Sequence, residues 1–113
     1  MSNSIDINES AIKKYVDSMR PESLEMRADL DMGYSYDGKQ FILFEIRPII
    51  DRPKEKMYLE FAKIRFYKSR KEWTLYWKRA SGKWELYDSF PKSSHISSII
   101  EIIKKDNHGC FYG

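Results

Sequence analysis

The chain has 113 residues, which argues for one domain over residues 1–113 with a single core. Hydrophobic residues make up 42% and charged residues 33%, a balance that reads as globular and soluble rather than disordered, and no apolar run reaches the roughly 18 residues of a membrane-spanning helix. The net charge of +3 hides a gradient: from Lys63 to Lys83 there are eight basic residues and one acid, Glu72, while the remainder is net acidic.

The opening residues, MSNSIDINES, are polar and acidic and do not resemble a secretory leader. One cysteine, Cys110, cannot form an intrachain disulfide. Together these features lead us to expect a cytoplasmic protein.

Ile12, Tyr15, Val16 and Met19 recur at helical spacing, which predicts a helix over 8–19. Asp6 and Glu9 have the spacing of a capping box, and Pro21 closes the far end. Leu24, Met26, Ala28, Leu30 and Met32 then alternate with Glu25, Arg27, Asp29 and Asp31, which predicts a long strand with one wet face. Asp37-Gly38 suits a two-residue hairpin turn with both residues at positive φ, and that register sets Glu45 opposite Leu30.

The partner strand, QFILFEIRP, is apolar on both faces, as an interior strand would be. Pro48 lacks an N–H, so pairing is expected to stop there and 49–56 to form a loop. A third strand over 57–67 puts Ala62, Ile64 and Phe66 on one side, with Lys63, Arg65 and Tyr67 on the other. Strands four and five come from WTLYWKRASGKWELY, joined around Ala80-Ser81-Gly82. Pairing Lys78 with Lys83 sets Trp77 opposite Trp84 and Leu75 opposite Leu86, and brings all three tryptophans to the apolar face. The same logic sets Phe66 opposite Trp73 and Ile64 opposite Leu75. Ile96, Ile99, Ile100 and Ile103 mark a last amphipathic helix, capped by Ser93 or Ser94.

The fold class is therefore α+β: a five-stranded antiparallel meander with an N-terminal and a C-terminal helix covering one face. The opposite face of strands three to five carries Lys63, Arg65, Tyr67, Tyr76, Lys78, Lys83 and Tyr87, with Thr74 and Glu85 among them and Arg79 at the turn. Cations beside aromatic rings are what single-stranded nucleic acid requires, phosphates meeting the one and bases stacking on the other. The same residues also make an ordinary solvated sheet face, because tyrosine and threonine favour strands and lysine guards edges.

The C-terminal KKDNHGCFYG groups Asp106, His108 and Cys110. A thiolate–imidazole pair or two zinc ligands are chemically conceivable there, but structural zinc takes four ligands and only His95 remains as another imidazole. The competing reading is a helix C-cap, with Asn107 or Gly109 left-handed and the aromatic tail folded back on the core. Glu45 and Arg47 share one strand face and read as a salt bridge. No phosphate loop, metal motif or cofactor signature is present, and no catalytic residue is assigned.

FEIRP at 44–48, WTLYWKRASGKWELYD at 73–88 and DNHGCFYG at the end, taken together, resemble a family of small, mostly bacterial proteins, the domain of unknown function number 3024. The resemblance spans nearly the whole chain and implies a bacterial cytoplasmic protein with no assigned activity. It draws attention to Glu45, Arg47, Arg79, His108 and Cys110, which lie inside these blocks. The expectation is a non-enzymatic binding or accessory module, not associated with a membrane. It would present Lys63, Arg65, Tyr76, Lys78, Arg79 and Lys83 to single-stranded nucleic acid or to an acidic protein segment. Two alternatives stand beside it: a thiol-dependent or redox-responsive protein using Cys110 with His108, and assembly through a sheet edge.

Overall fold

Asp6 begins the first helix, α1 (Ile7–Met19), its carboxylate accepting from the Asn8 N–H at 2.8 Å. The computed structural model describes residues 6–87, 92–106 and 109–111. Glu9 does not complete a capping box; its carboxylate accepts from the Tyr34 hydroxyl at 2.9 Å and ties α1 to the sheet. Ile12, Tyr15 and Val16 are the buried side of α1.

The alternating segment after Pro21 is a helix and not a strand: α2 (Leu24–Asp29). Ser23 caps it, its hydroxyl accepting from the N–H groups of Glu25 and Met26. Leu, Glu, Met, Arg and Ala are all strong helix formers and none is β-branched, so local propensity outweighs a period-two pattern. The apolar half of that pattern is not a buried face, because Leu24 and Met26 are exposed.

The sheet runs in the order β1 (Asp31–Tyr36), β2 (Gln40–Ile49), β3 (Arg52–Tyr67), β4 (Glu72–Lys78) and β5 (Trp84–Leu86), antiparallel throughout, with β6 (Lys92–Ser93) also pairing with β4. The helix α3 (Ile96–Lys105) follows. Its stripe of Ile96, Ile99, Ile100 and Ile103 is buried, and with α1 it covers the face formed by Phe41, Leu43, Ala62, Ile64, Trp73 and Leu75. The expected two-helix cover of a five-strand antiparallel sheet is therefore present. Its N-cap is His95; Ser93, an expected cap, instead accepts from the His95 N–H.

Two turns differ from expectation. Tyr36 pairs with Phe41, so Glu45 faces Met32 and not Leu30. Only Gly38 takes positive φ there; Asp37 uses its carboxylate, which accepts from the N–H groups of Lys39 and Gln40. The segment 49–56 is not a loop, because β2 continues through Pro48 to Ile49 and β3 begins at Arg52. β1 pairs no further along β2 than Ile46, so beyond it β2 has, among the described residues, a strand on one side only, where a proline is tolerated. Opposite Leu43 and Phe44, β3 holds one extra residue: Leu43 faces Ala62 and Phe44 faces Glu60. This bulge leaves Phe61 between them, as an extra residue does in a ladder.

Arg20, just past α1, holds the start of β1 through two bonds to the Asp31 carboxylate, at 2.8 and 2.9 Å. These hydrogen bonds, above all, hold the Asp31 carboxyl below its ordinary value. The folded pKa is depressed, so the stabilisation is full above the ordinary aspartate range of about 4 and is lost as pH falls through the folded value. Thermal melts of wild type and Asp31→Asn should differ at neutral pH and converge in acid.

Candidate functional site

The sheet face turned away from α1 and α3 is built mainly by β3, β4 and β5. On β3, alternation sends Ala62 and Ile64 into the core, and Lys63, Arg65 and Tyr67 the other way. On β4, Leu75 and Trp73 are buried under the helices, opposite Ile64 and Phe66 as expected. Tyr76 and Lys78 therefore join Lys63 on the outer face.

The β4–β5 register is one residue away from the expected one. Lys78 pairs with Trp84, Trp77 with Glu85 and Tyr76 with Leu86. The turn explains the offset. Arg79 N–H donates to the Lys83 carbonyl at 2.9 Å, Gly82 N–H donates to the Arg79 carbonyl at 2.8 Å, and Gly82 has φ +89°. This is a three-residue loop closed by a glycine bulge, which adds one residue to the β5 side. A shift of one residue moves every β5 side chain to the opposite face. Trp84 consequently leaves the core side and lies among the cations, while Tyr87 becomes core and packs on Phe111 at 5.4 Å between ring centroids. Glu85 moves to the Trp77 side.

Trp84 is only half buried, and two ammonium groups approach its ring: Lys63 Nζ and Lys78 Nζ, each 5.3 Å from the ring centroid. Lys63 Nζ also lies 4.8 Å from the Tyr76 centroid. Arg65 and Arg70 flank the Tyr67 ring at 5.4 and 4.3 Å. The Tyr67 and Tyr76 hydroxyls are 2.5 Å apart and bond to each other. Burial, reinforced by that bond, pushes the Tyr76 phenol up to about 12, so it stays a neutral ring. Burial, aided by the charge on Arg65, pulls Lys63 below the ordinary lysine value. Lys78 is paired with Glu60 at 2.8 Å and Arg70 with Glu72 at 3.4 Å. Arg65 also donates to the Gln40 amide oxygen at 3.4 Å. The outcome is a ladder of rings and cations in which Lys63 and Arg65 have no carboxylate in ion-pair range among the described residues.

Of the six residues expected at this surface, Lys63, Arg65, Tyr76 and Lys78 come together. Arg79 lies at the hairpin turn as expected and Lys83 lies there too, both exposed, with Arg79 directed to Glu85 at 3.6 Å. Trp84 and Arg70 are the members that sequence reasoning missed. Gly82 in RASGK carried the signal for Trp84, since a glycine closing a three-residue loop shifts the register.

The other expected polar residues are Glu45, Arg47, His108 and Cys110. Glu45 and Arg47 pair with each other, 3.0 Å apart, at a partly exposed position on β2. His108 lies outside the described residues. Cys110 is half buried against the core, just after the C-terminus of α3. Asp106 is the C-cap of α3 and is left-handed, and Gly109 also has positive φ, as expected for it; Asn107 lies outside the described residues. The Asp106 carboxylate accepts from the Phe111 N–H at 3.0 Å, which turns the tail back onto the core.

The family described as a domain of unknown function, DUF3024, matches residues 2–113. The chain belongs to DUF3024. No curated protein and no solved structure matches it. The resemblance read from the three blocks is thus the family itself, and it assigns no activity to this DUF3024 domain. Among the described residues no group of three metal-ligating side chains forms, and no helix is long and apolar enough to cross a membrane.

The surroundings of the Cys110 thiol disfavour its ionised form. Burial first, then the negative charges of Asp106 and Glu85, raise the Cys110 pKa. A reactive cysteine needs the opposite, a cationic and accessible setting. Iodoacetamide should therefore modify Cys110 more slowly than a free thiol at neutral pH, with the rate rising only above the ordinary thiol pKa of about 8.5. Mass spectrometry of timed samples reads this directly.

Proposed function

We propose that this DUF3024 domain is a binding module for single-stranded nucleic acid, acting in the cytoplasm. The observation that carries the reading is Trp84 on the cationic face, between Lys63 and Lys78. A tryptophan in the core would be explained by packing alone; one kept partly accessible beside ammonium groups is suited to stacking. Phosphates would be met by Lys63, Arg65 and Lys78, and bases by Trp84 and Tyr76. The side chain of Leu86, 41% exposed opposite Tyr76, extends the flat apolar surface for a base. Such contacts are tolerant of sequence, because every base presents a π-face.

Fluorescence anisotropy with a labelled oligonucleotide at two salt concentrations tests the proposal. Binding should weaken steeply as salt rises, since each neutralised phosphate releases counterions. Single strands should bind more tightly than the matching duplex, whose bases are not free to stack. No binding to either at low salt would end this reading and leave an acidic protein segment as the partner that the same cations could take.

A further inference from the structure

The hairpin of β2 and β3 extends beyond the rest of the sheet. β3 pairs with β4 only from Ala62 to Tyr67, so the edge from Arg52 to Glu60 has no strand beside it among the described residues. The two halves of this edge differ. Arg52 to Lys56 is charged and contains Pro53, which guards a strand against pairing. Met57, Tyr58 and Leu59 are apolar and exposed, at 36, 60 and 43%. An unguarded apolar edge is a template for another strand.

The sequence of this edge is complementary to itself. In an antiparallel pair centred on Tyr58, Met57 of one chain faces Leu59 of the other, and Lys56 faces Glu60. Facing residues share a sheet face, so the apolar pair forms twice about a two-fold axis, and so does the ion pair once Lys56 and Glu60 exchange their contacts with the Ala28 carbonyl and Lys78. Sliding the centre to Lys56 would oppose lysine with lysine, which charge repulsion disfavours.

We propose that the free edge of β3 binds a second copy of this chain, giving a two-fold dimer with β3 paired antiparallel about Tyr58 and a continuous sheet. This inference does not rest on the nucleic-acid reading and meets its residues only through the Glu60–Lys78 ion pair.

Sedimentation velocity on the full chain should show a monomer–dimer equilibrium for wild type. Lys56→Glu alone sets glutamate against Glu60, and Glu60→Lys alone sets lysine against Lys56; each should weaken self-association by roughly tenfold or more, through two like-charge pairs per dimer. An equimolar mixture of the two variants restores both pairs and should dimerise again. Circular dichroism and melting confirm that each variant is folded. If Glu60→Lys melts early, because Glu60 also pairs with Lys78, Glu55→Lys offers no rescue in the mixture, whereas Met57→Lys with Leu59→Lys in one chain should abolish the dimer. A wild-type monomer at every concentration, a dimer indifferent to these changes, or a mixture of folded variants that stays monomeric overturns the proposal.

Discussion

Trp73→Ala should cost about 3–5 kcal/mol, the usual penalty for removing a large buried aromatic. Trp73 is 4% exposed and lies against Phe66 and Phe41, with ring centroids 4.9 and 5.7 Å away. It is also central to the sheet, paired with Phe66 on β3 and with Ser93 on β6. Truncation therefore opens a cavity between three elements at once, and the melting temperature should fall by roughly 10–25 °C. Trp84→Ala should fall far less, because its ring is only partly buried, lies outside the core cluster and is approached by two ammonium groups. Thermal melts of the two variants test the register of the β4–β5 hairpin. Equal losses, or a larger loss for Trp84→Ala, would return Trp84 to the core and remove the face described above.

The contrast between these tryptophans shows where the sequence is legible. Ile64, Phe66, Trp73 and Leu75 were placed by alternation alone, and their pairing across β3 and β4 is as expected. Burial fixed those positions, because any other register would put apolar side chains in water. On β5 the pattern is weaker. Trp84, Leu86 and Tyr87 are all apolar enough to satisfy either face, so the turn decides, and the turn holds a bulge.

The missed helix α2 has a similar origin. Leu24, Met26 and Ala28 alternate with charge as a strand would, yet Ser23 offers a cap and every residue from Leu24 to Asp29 suits a helix apart from a weak Asp29. A period read over few residues carries little information unless burial enforces it, and here both Leu24 and Met26 are exposed. The long arm was hidden for a different reason. Pro48 and the charges of Asp51-Arg52-Pro53-Lys54-Glu55-Lys56 look like a loop, but the same residues protect an open strand edge. Of the candidate site, the cations on β3 and β4 were legible, since they alternate with core residues. Trp84 was not, because its placement depends on the backbone of Gly82.

Charge and stacking should separate in binding measurements. Lys63→Gln with Arg65→Gln removes two cations that have no carboxylate partner in ion-pair range among the described residues, so little structural electrostatics is lost. If both meet phosphates, the slope of log affinity against log salt should fall in magnitude by about 1.4 for a single strand, and affinity at low salt should drop by roughly tenfold to a hundredfold. Trp84→Ala should lower affinity through a different route. Loss of one stacked base is worth about 1–3 kcal/mol, or roughly five- to a hundredfold, and releases no counterions. Its salt slope should match wild type while its intercept falls. The two variants thus give distinct signatures in one titration series, with melting curves confirming that both remain folded. A variant lacking both cations that keeps the wild-type slope would show that phosphate is bound elsewhere. A Trp84→Ala protein that binds like wild type would show that the half-buried indole ring does not stack on a base, and the outer face would then be a solvated sheet surface, with its cations held over rings for packing and solubility.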